Sequence, residues 1–114
     1  MSQKIPVLTL TAVAVGTVAA HRFVGFDGAQ LDAAGAEAFG VANFSAVDGD
    51  DLSLDVMGTT VVETGGAVAV GDDVVSDANA MAITNPEVGG EKVLAKALDA
   101  ASGAGEFIEV LIVR

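Results

Sequence analysis

The chain has 114 residues, no cysteine, tryptophan or tyrosine, and 16 acidic side chains against 5 basic ones, for a net charge of −11. That length suits one domain with a core of its own, and the missing thiols exclude disulfides and thiolate metal sites. The acidic excess excludes a nucleic-acid reader, whose affinity rests on Lys and Arg neutralising phosphates, and equally a protein held on an anionic membrane.

The N-terminal run up to Ala20 places a Lys before an apolar stretch and small residues after it, the outline of a secretory leader cleaved near Ala20. Pro6, Thr9, Thr11, Gly16 and Thr17 interrupt that stretch, which is also short of the ~20 apolar residues of a membrane span. Val7, Thr9 and Thr11 alternate with Leu8 and Leu10, as in a strand. The segment therefore reads as an extended arm, Ser2 to Pro6, entering a first strand at Val7 to Val13. Residues 1–10 form the arm and the start of this strand, and residues 11–114 a single β domain.

A short strand, Phe23 to Phe26, precedes the tight-turn signal Asp27-Gly28, and Gln30 to Ala34 reads as another before Gly35. Strand-like alternation resumes from Phe39 to Phe44, and Asp48-Gly49-Asp50 supplies a turn, because Gly tolerates positive φ and Asp bonds its own backbone. Leu52 to Met57 and Thr59 to Thr64 read as two strands broken by Gly58. After Gly65-Gly66 the plan recurs. An offset of fifty sets Val18 against Val68, Val24 against Val74 and Asp27 against Asp77; an offset of fifty-four then sets Phe44 against Leu98 and Ala46 against Ala100. The four extra residues fit the loop Asn85 to Glu91. This predicts two similar units, 17–64 and 67–113, too few for a solenoid and better suited to wrapping one core. Val93 to Ala101 has helical propensity, but its match to the first half and the alternating Phe107 to Ile112 favour strand, turn, strand. The predicted fold is all-β, a small barrel or sandwich of β-tulip type with at most a short helix.

Chemistry finds little purchase. His21 is the lone histidine; a triad would need it beside an orienting acid and a nucleophile, and no serine sits in a nucleophile elbow. Asp48, Asp50 and Asp51, and Asp72 and Asp73, lack the spacing of a calcium loop and read as turn residues. No dinucleotide or phosphate-loop fingerprint is present. A carrier domain needs a Lys at a hairpin tip, and neither Lys92 nor Lys96 fits one well.

Four stretches carry a family resemblance: RFVGFDG (Arg22 to Gly28), FGVANFSAVDGDDLSLDV (Phe39 to Val56), GGAVAVGDDVVSDANAMA (Gly65 to Ala82) and VLAKALDAASGAGEFIEVLI (Val93 to Ile112). In these the chain resembles the capsid cement, or head decoration, proteins of tailed bacteriophages. The loop Asn85 to Glu91 is longer than the family pattern, and the arm Met1 to Pro6 follows none. The resemblance implies a structural protein of the virion, made in the host cytoplasm. It would sit on the outer capsid surface, bridge neighbouring major capsid subunits and act without enzymatic activity or cofactor. It also implies a small homo-oligomer, a trimer in preference to a dimer. Capsid contact is expected from Lys4, Ile5, Pro6, Val7, Leu8, Leu10, His21 and Arg22. The alternatives are a small carrier or ligand-binding β domain, modified on Lys92 or Lys96, and a secreted adhesin-like domain that begins at His21.

Overall fold

The computed structural model describes residues 4–113; residues 1–3, within the expected arm, and residue 114 lie outside the described residues. Eight strands follow in chain order: β1 (Pro6–Val13), β2 (Phe23–Val24), β3 (Gly40–Ala42), β4 (Asp51–Gly65), β5 (Asp73–Ser76), β6 (Ala82–Thr84), β7 (Ala95–Ala97) and β8 (Ala104–Ile112). No helix occurs among the described residues.

β4 is the spine. Its first half pairs antiparallel with β1, from Val13 opposite Asp51 to Thr9 opposite Asp55, and on its other edge with β3, which in turn carries β2. Its second half pairs antiparallel with β8 and, at Thr64 opposite Ala82, parallel with β6. The pairs β6–β5, β5–β7 and β7–β8 then close a five-stranded barrel. Closure leaves those five strands no open edge.

Gly58 does not break β4. It takes φ 92° inside one continuous strand, and the β1 register shifts beside it. A Cβ there would lie 2.5 Å from the Ile5 carbonyl oxygen and 2.5 Å from the Val7 nitrogen. Glycine thus lets the β1 backbone close onto the spine. The strand expected over Gln30 to Ala34 reduces to one bridge between Gln30 and Val24. Asp27-Gly28 forms the expected turn, with Asp27 Oδ1 accepting from the Ala29 N–H at 3.1 Å.

Two buried clusters fill the molecule. The first includes Val18, Val24, Ala42, Ala46, Leu52 and Leu54; the second includes Val68, Val74, Ala97, Ala101, Ile108 and Val110. Taken in order, these lie fifty residues apart at the valines and fifty-five or fifty-six apart later. Hydrogen bonds recur with them. Val18 bridges Ala46 as Val68 bridges Ala101, and Phe39 donates to the Val24 carbonyl as Leu94 does to that of Val74. The bridge that Ala46 makes to Val18 is made to Val68 by Ala101, one residue beyond Ala100. The added residues fall between Met81 and Leu94, around the loop at 85–91.

Candidate functional site

The least protected element is β1. Every residue from Lys4 to Thr11 is exposed, with Ile5 at 62% and Val7 at 72%, and Leu8 and Leu10 also lie open. Alternation made these residues a strand, but only one edge of it has a partner. β1 pairs with β4 alone, and β4 is already filled on its far side by β3. Leu10 stands opposite the buried Leu54 and Leu8, across a register shift, opposite the exposed Met57; among the described residues no second strand covers them. Exposed apolar side chains on an unpartnered edge mark an interaction site, because such an edge invites pairing with another chain.

β1 is fastened to the spine by a polar cluster under its N-terminal half. The Asp55 side chain is fully buried and has Lys4 Nζ at 3.0 Å. It also accepts from Thr9 Oγ1 at 3.0 Å, Thr60 Oγ1 at 2.8 Å and Asn43 Nδ2 at 3.1 Å. Lys4 donates to Asn43 as well, and Ile5 and Thr59 exchange bonds beside them. Burial alone would raise the Asp55 pKa. The hydrogen bonds from Lys4, Thr60, Asn43 and Thr9 outweigh it and hold the carboxyl below its usual range. Sequence reasoning missed Asp55: period-two alternation sets it with Ser53 on the face opposite Leu52, Leu54 and Val56, where an acid ordinarily meets water, and only the fold buries it.

Lys4 is therefore engaged internally, while Ile5, just before β1, and Pro6, Val7, Leu8 and Leu10 within it are exposed. His21 and Arg22 lie elsewhere, at the seam between the two halves. Arg22 Nη2 is 3.0 Å from Glu63 Oε1, and Nη1 donates to the Asn79 carbonyl at 3.0 Å. His21 takes φ 62°, sets Nδ1 3.3 Å from the Val61 carbonyl oxygen and stacks edge-on against Phe107, with centroids 5.3 Å apart. Both residues are half-buried and tie the halves together.

Of the acidic runs, Asp48, Asp50 and Asp72 are occupied by backbone, while Asp51 and Asp73, expected in turns, open β4 and β5. Asp48 accepts from the Gly16 N–H, Asp50 from that of Val47, and Asp72 from that of Ala69 together with the Thr84 hydroxyl. The Asp72 carboxyl is held below its usual range, by the Ala69 N–H first and Thr84 second. Lys96 lies in mid-strand in β7, 2.7 Å from Asp73, and Lys92 in the loop before it; neither sits at a hairpin tip. A cavity of about 260 Å³ lies between the halves, lined by Phe23, Glu37, Gly40, Lys92, Leu94 and Ile112 among others. That is below the roughly 300–1,000 Å³ of ordinary ligand sites. The long loop is ordered from within: Val88 and Gly89 donate to the two oxygens of Glu91 at 2.9 Å each.

The exposed face of β1 and its open edge are the largest apolar feature that the strands leave uncovered among the described residues. Residues 1–112 match the family described as phage cement protein. No curated protein matches the chain. Among solved structures, that of the head fiber gp8.5 N base in bacteriophage phi29 superposes with a TM-score of 0.73 at 21% identity, covering 93% of each chain. At that identity the likeness concerns the fold.

Proposed function

The chain belongs to the phage cement protein family, so its role is structural, decoration and cementing of a phage capsid; from that premise we propose that it binds the outer face of the assembled shell and bridges neighbouring major capsid subunits. The observation that supports the contact is β1, an apolar, exposed strand with one free edge on an otherwise acidic protein. Ile5, Pro6, Val7, Leu8 and Leu10 would meet the shell. Lys4 would act by fixing the strand to Asp55, and His21 and Arg22 by holding the halves in register. We also read residues 17–64 and 67–113 as a duplicated unit, a reading supported by the recurring core positions, and favour a trimer over a dimer.

The mechanism is linkage. A protein that binds the assembled lattice and not its separated subunits stabilises the lattice by RT ln(1 + [L]/Kd), about 2.7 kcal/mol at a hundredfold excess over Kd. Contacts to adjacent subunits by one oligomer add through effective concentration. Purified protein added to expanded shells that lack it should bind to saturation and raise their disruption temperature. The double variant Ile5→Ser, Val7→Ser should lower occupancy at least about tenfold, since each buried aliphatic side chain is worth about 1.5–3 kcal/mol. Wild-type protein that leaves the disruption temperature unmoved at saturating concentration would rule the proposal out.

A further inference from the structure

Main-chain geometry says more about how β1 is used. The Ala14 N–H donates to the Asp50 carbonyl at 2.9 Å. In an antiparallel pair, main-chain groups alternate between facing the partner and facing away. Leu10 and Ala12 therefore bond to β4, while Thr9 and Thr11 turn their N–H and C=O groups to the open edge. Val15, in phase with them, bears this out by donating to the Gly28 carbonyl at 3.0 Å on that side. Gly28 also closes the edge at Val13, whose carbonyl oxygen leaves no room for a Cβ there. At the other end Pro6 has no N–H to offer. An open window remains around Thr9 and Thr11.

We propose that this window receives an extended segment of the capsid subunit as an added β-strand, with the main chain of Thr9 and Thr11 as its anchor. The proposal rests on the cement reading and specifies its contact. Strand addition draws affinity from main-chain bonds and specificity from alternate side chains, and here Leu8 and Leu10 offer exposed apolar side chains on either side of Thr9.

Charge selects the occupant. No acidic residue precedes Asp27 in the sequence, yet the chain carries −11 overall. A second copy meeting this edge would bring an equal negative charge to within roughly a Debye length, about 8 Å at physiological salt. Asp51 stands opposite Val13, and Asp48 and Asp50 bond to the same end of β1. The fitting partner is therefore an apolar extended segment with a basic residue beyond Thr11. A second copy's β1 offers only Lys4, already held by Asp55. The clasp on Asp55 and the paired edge also keep β1 extended before it binds, so little ordering cost falls on association.

The test is amide hydrogen exchange on the full-length protein, free and bound to expanded shells, together with shell binding by Thr11→Pro and Thr11→Ala. Thr11→Pro removes the edge N–H and spares the β4 ladder; Thr11→Ala keeps the N–H and loses only the side chain. Expected are protection of the peptide spanning residues 6–13 on binding, weakening by Thr11→Pro of at least about tenfold, and near-wild-type binding by Thr11→Ala. If Thr11→Pro does not fold, exchange of the wild-type protein decides alone. Binding without added protection of 6–13 overturns the strand proposal and leaves the cement reading standing. Failure of wild-type protein to bind shells overturns the cement reading itself. Protection that appears in free protein as its concentration rises makes a second copy the occupant and also overturns the proposal.

Discussion

Asp55→Ala tests whether the buried clasp holds β1 in place. The substitution deletes the acceptor of Lys4, Thr9, Thr60 and Asn43. Lys4 is 36% exposed and Thr9 lies at the surface, so both recover water, and their loss costs little. Thr60 is buried, at 2% exposure, and cannot. Asn43 retains only its bond to Ser53 and its contact with Lys4. Stranding buried donors costs about 1–3 kcal/mol each, so the sum is about 3–5 kcal/mol once weakened β1 pairing is included. At roughly 3–6 °C per kcal/mol for a domain of this size, Tm should fall by about 10–25 °C. Calorimetry or far-UV circular dichroism is the assay, because the chain has no Trp or Tyr to report by fluorescence. Lys4→Met should cost much less, about 1 kcal/mol, the charge being partly solvated. A loss below about 1 kcal/mol for Asp55→Ala would refute the clasp.

Acid should act through the same group. The Asp55 carboxyl is held below its usual range, so its stabilisation is complete above the unfolded value of about 3.9 and drains away as pH falls through the lower folded value. Wild-type Tm should then drop more steeply below about pH 4 than that of Asp55→Asn, and parallel profiles would count against the assignment. Gly58→Ala should cost more than about 2 kcal/mol through positive φ and collision with the Ile5 and Val7 backbone. Gly49→Ala, with φ 86° and nothing within 4 Å, should cost about 1 kcal/mol, and thermal melts of the pair separate strain from contact. Lys96→Met breaks a half-exposed pair with Asp73 and should move stability by less than about 1 kcal/mol.

Alternation and turn chemistry carried most of the fold into view. Val7 to Val13, Phe23, the Asp27-Gly28 turn and the Asp48–Asp50 turn sit near where period-two patterning and Gly/Asp preferences put them. Gly58 misled because a glycine within a strand pattern signals a break or a bulge equally well. What decides is the approach of the β1 backbone, a contact fifty residues away in sequence. The all-β reading of Val93 to Ala101 came from comparison with the first half, since its local propensity points to helix; the pairing of Ala95–Ala97 between β5 and β8 overrides that preference. The exposed apolar strand was legible, being Ile5, Val7, Leu8 and Leu10 themselves. The clasp was not, because Lys4, Asn43, Asp55 and Thr60 share no motif and meet only through the fold.

The two buried clusters meet along β4, and one register position is filled differently on its two sides. In the first half Phe23 and Val41 face each other across β2 and β3, and both sink into the core of the second half. Phe23 also donates its N–H to the Ala80 carbonyl there. The same register position in the second half holds Asp73 opposite Lys96, an ion pair 2.7 Å long and about half exposed. Where Phe23 and Val41 form an apolar plug, Asp73 and Lys96 form a pair content in water. Desolvating it would cost several kcal/mol per ion. That surface therefore resists burial against an apolar partner, whereas β1, apolar, acid-free and open along one edge, does not.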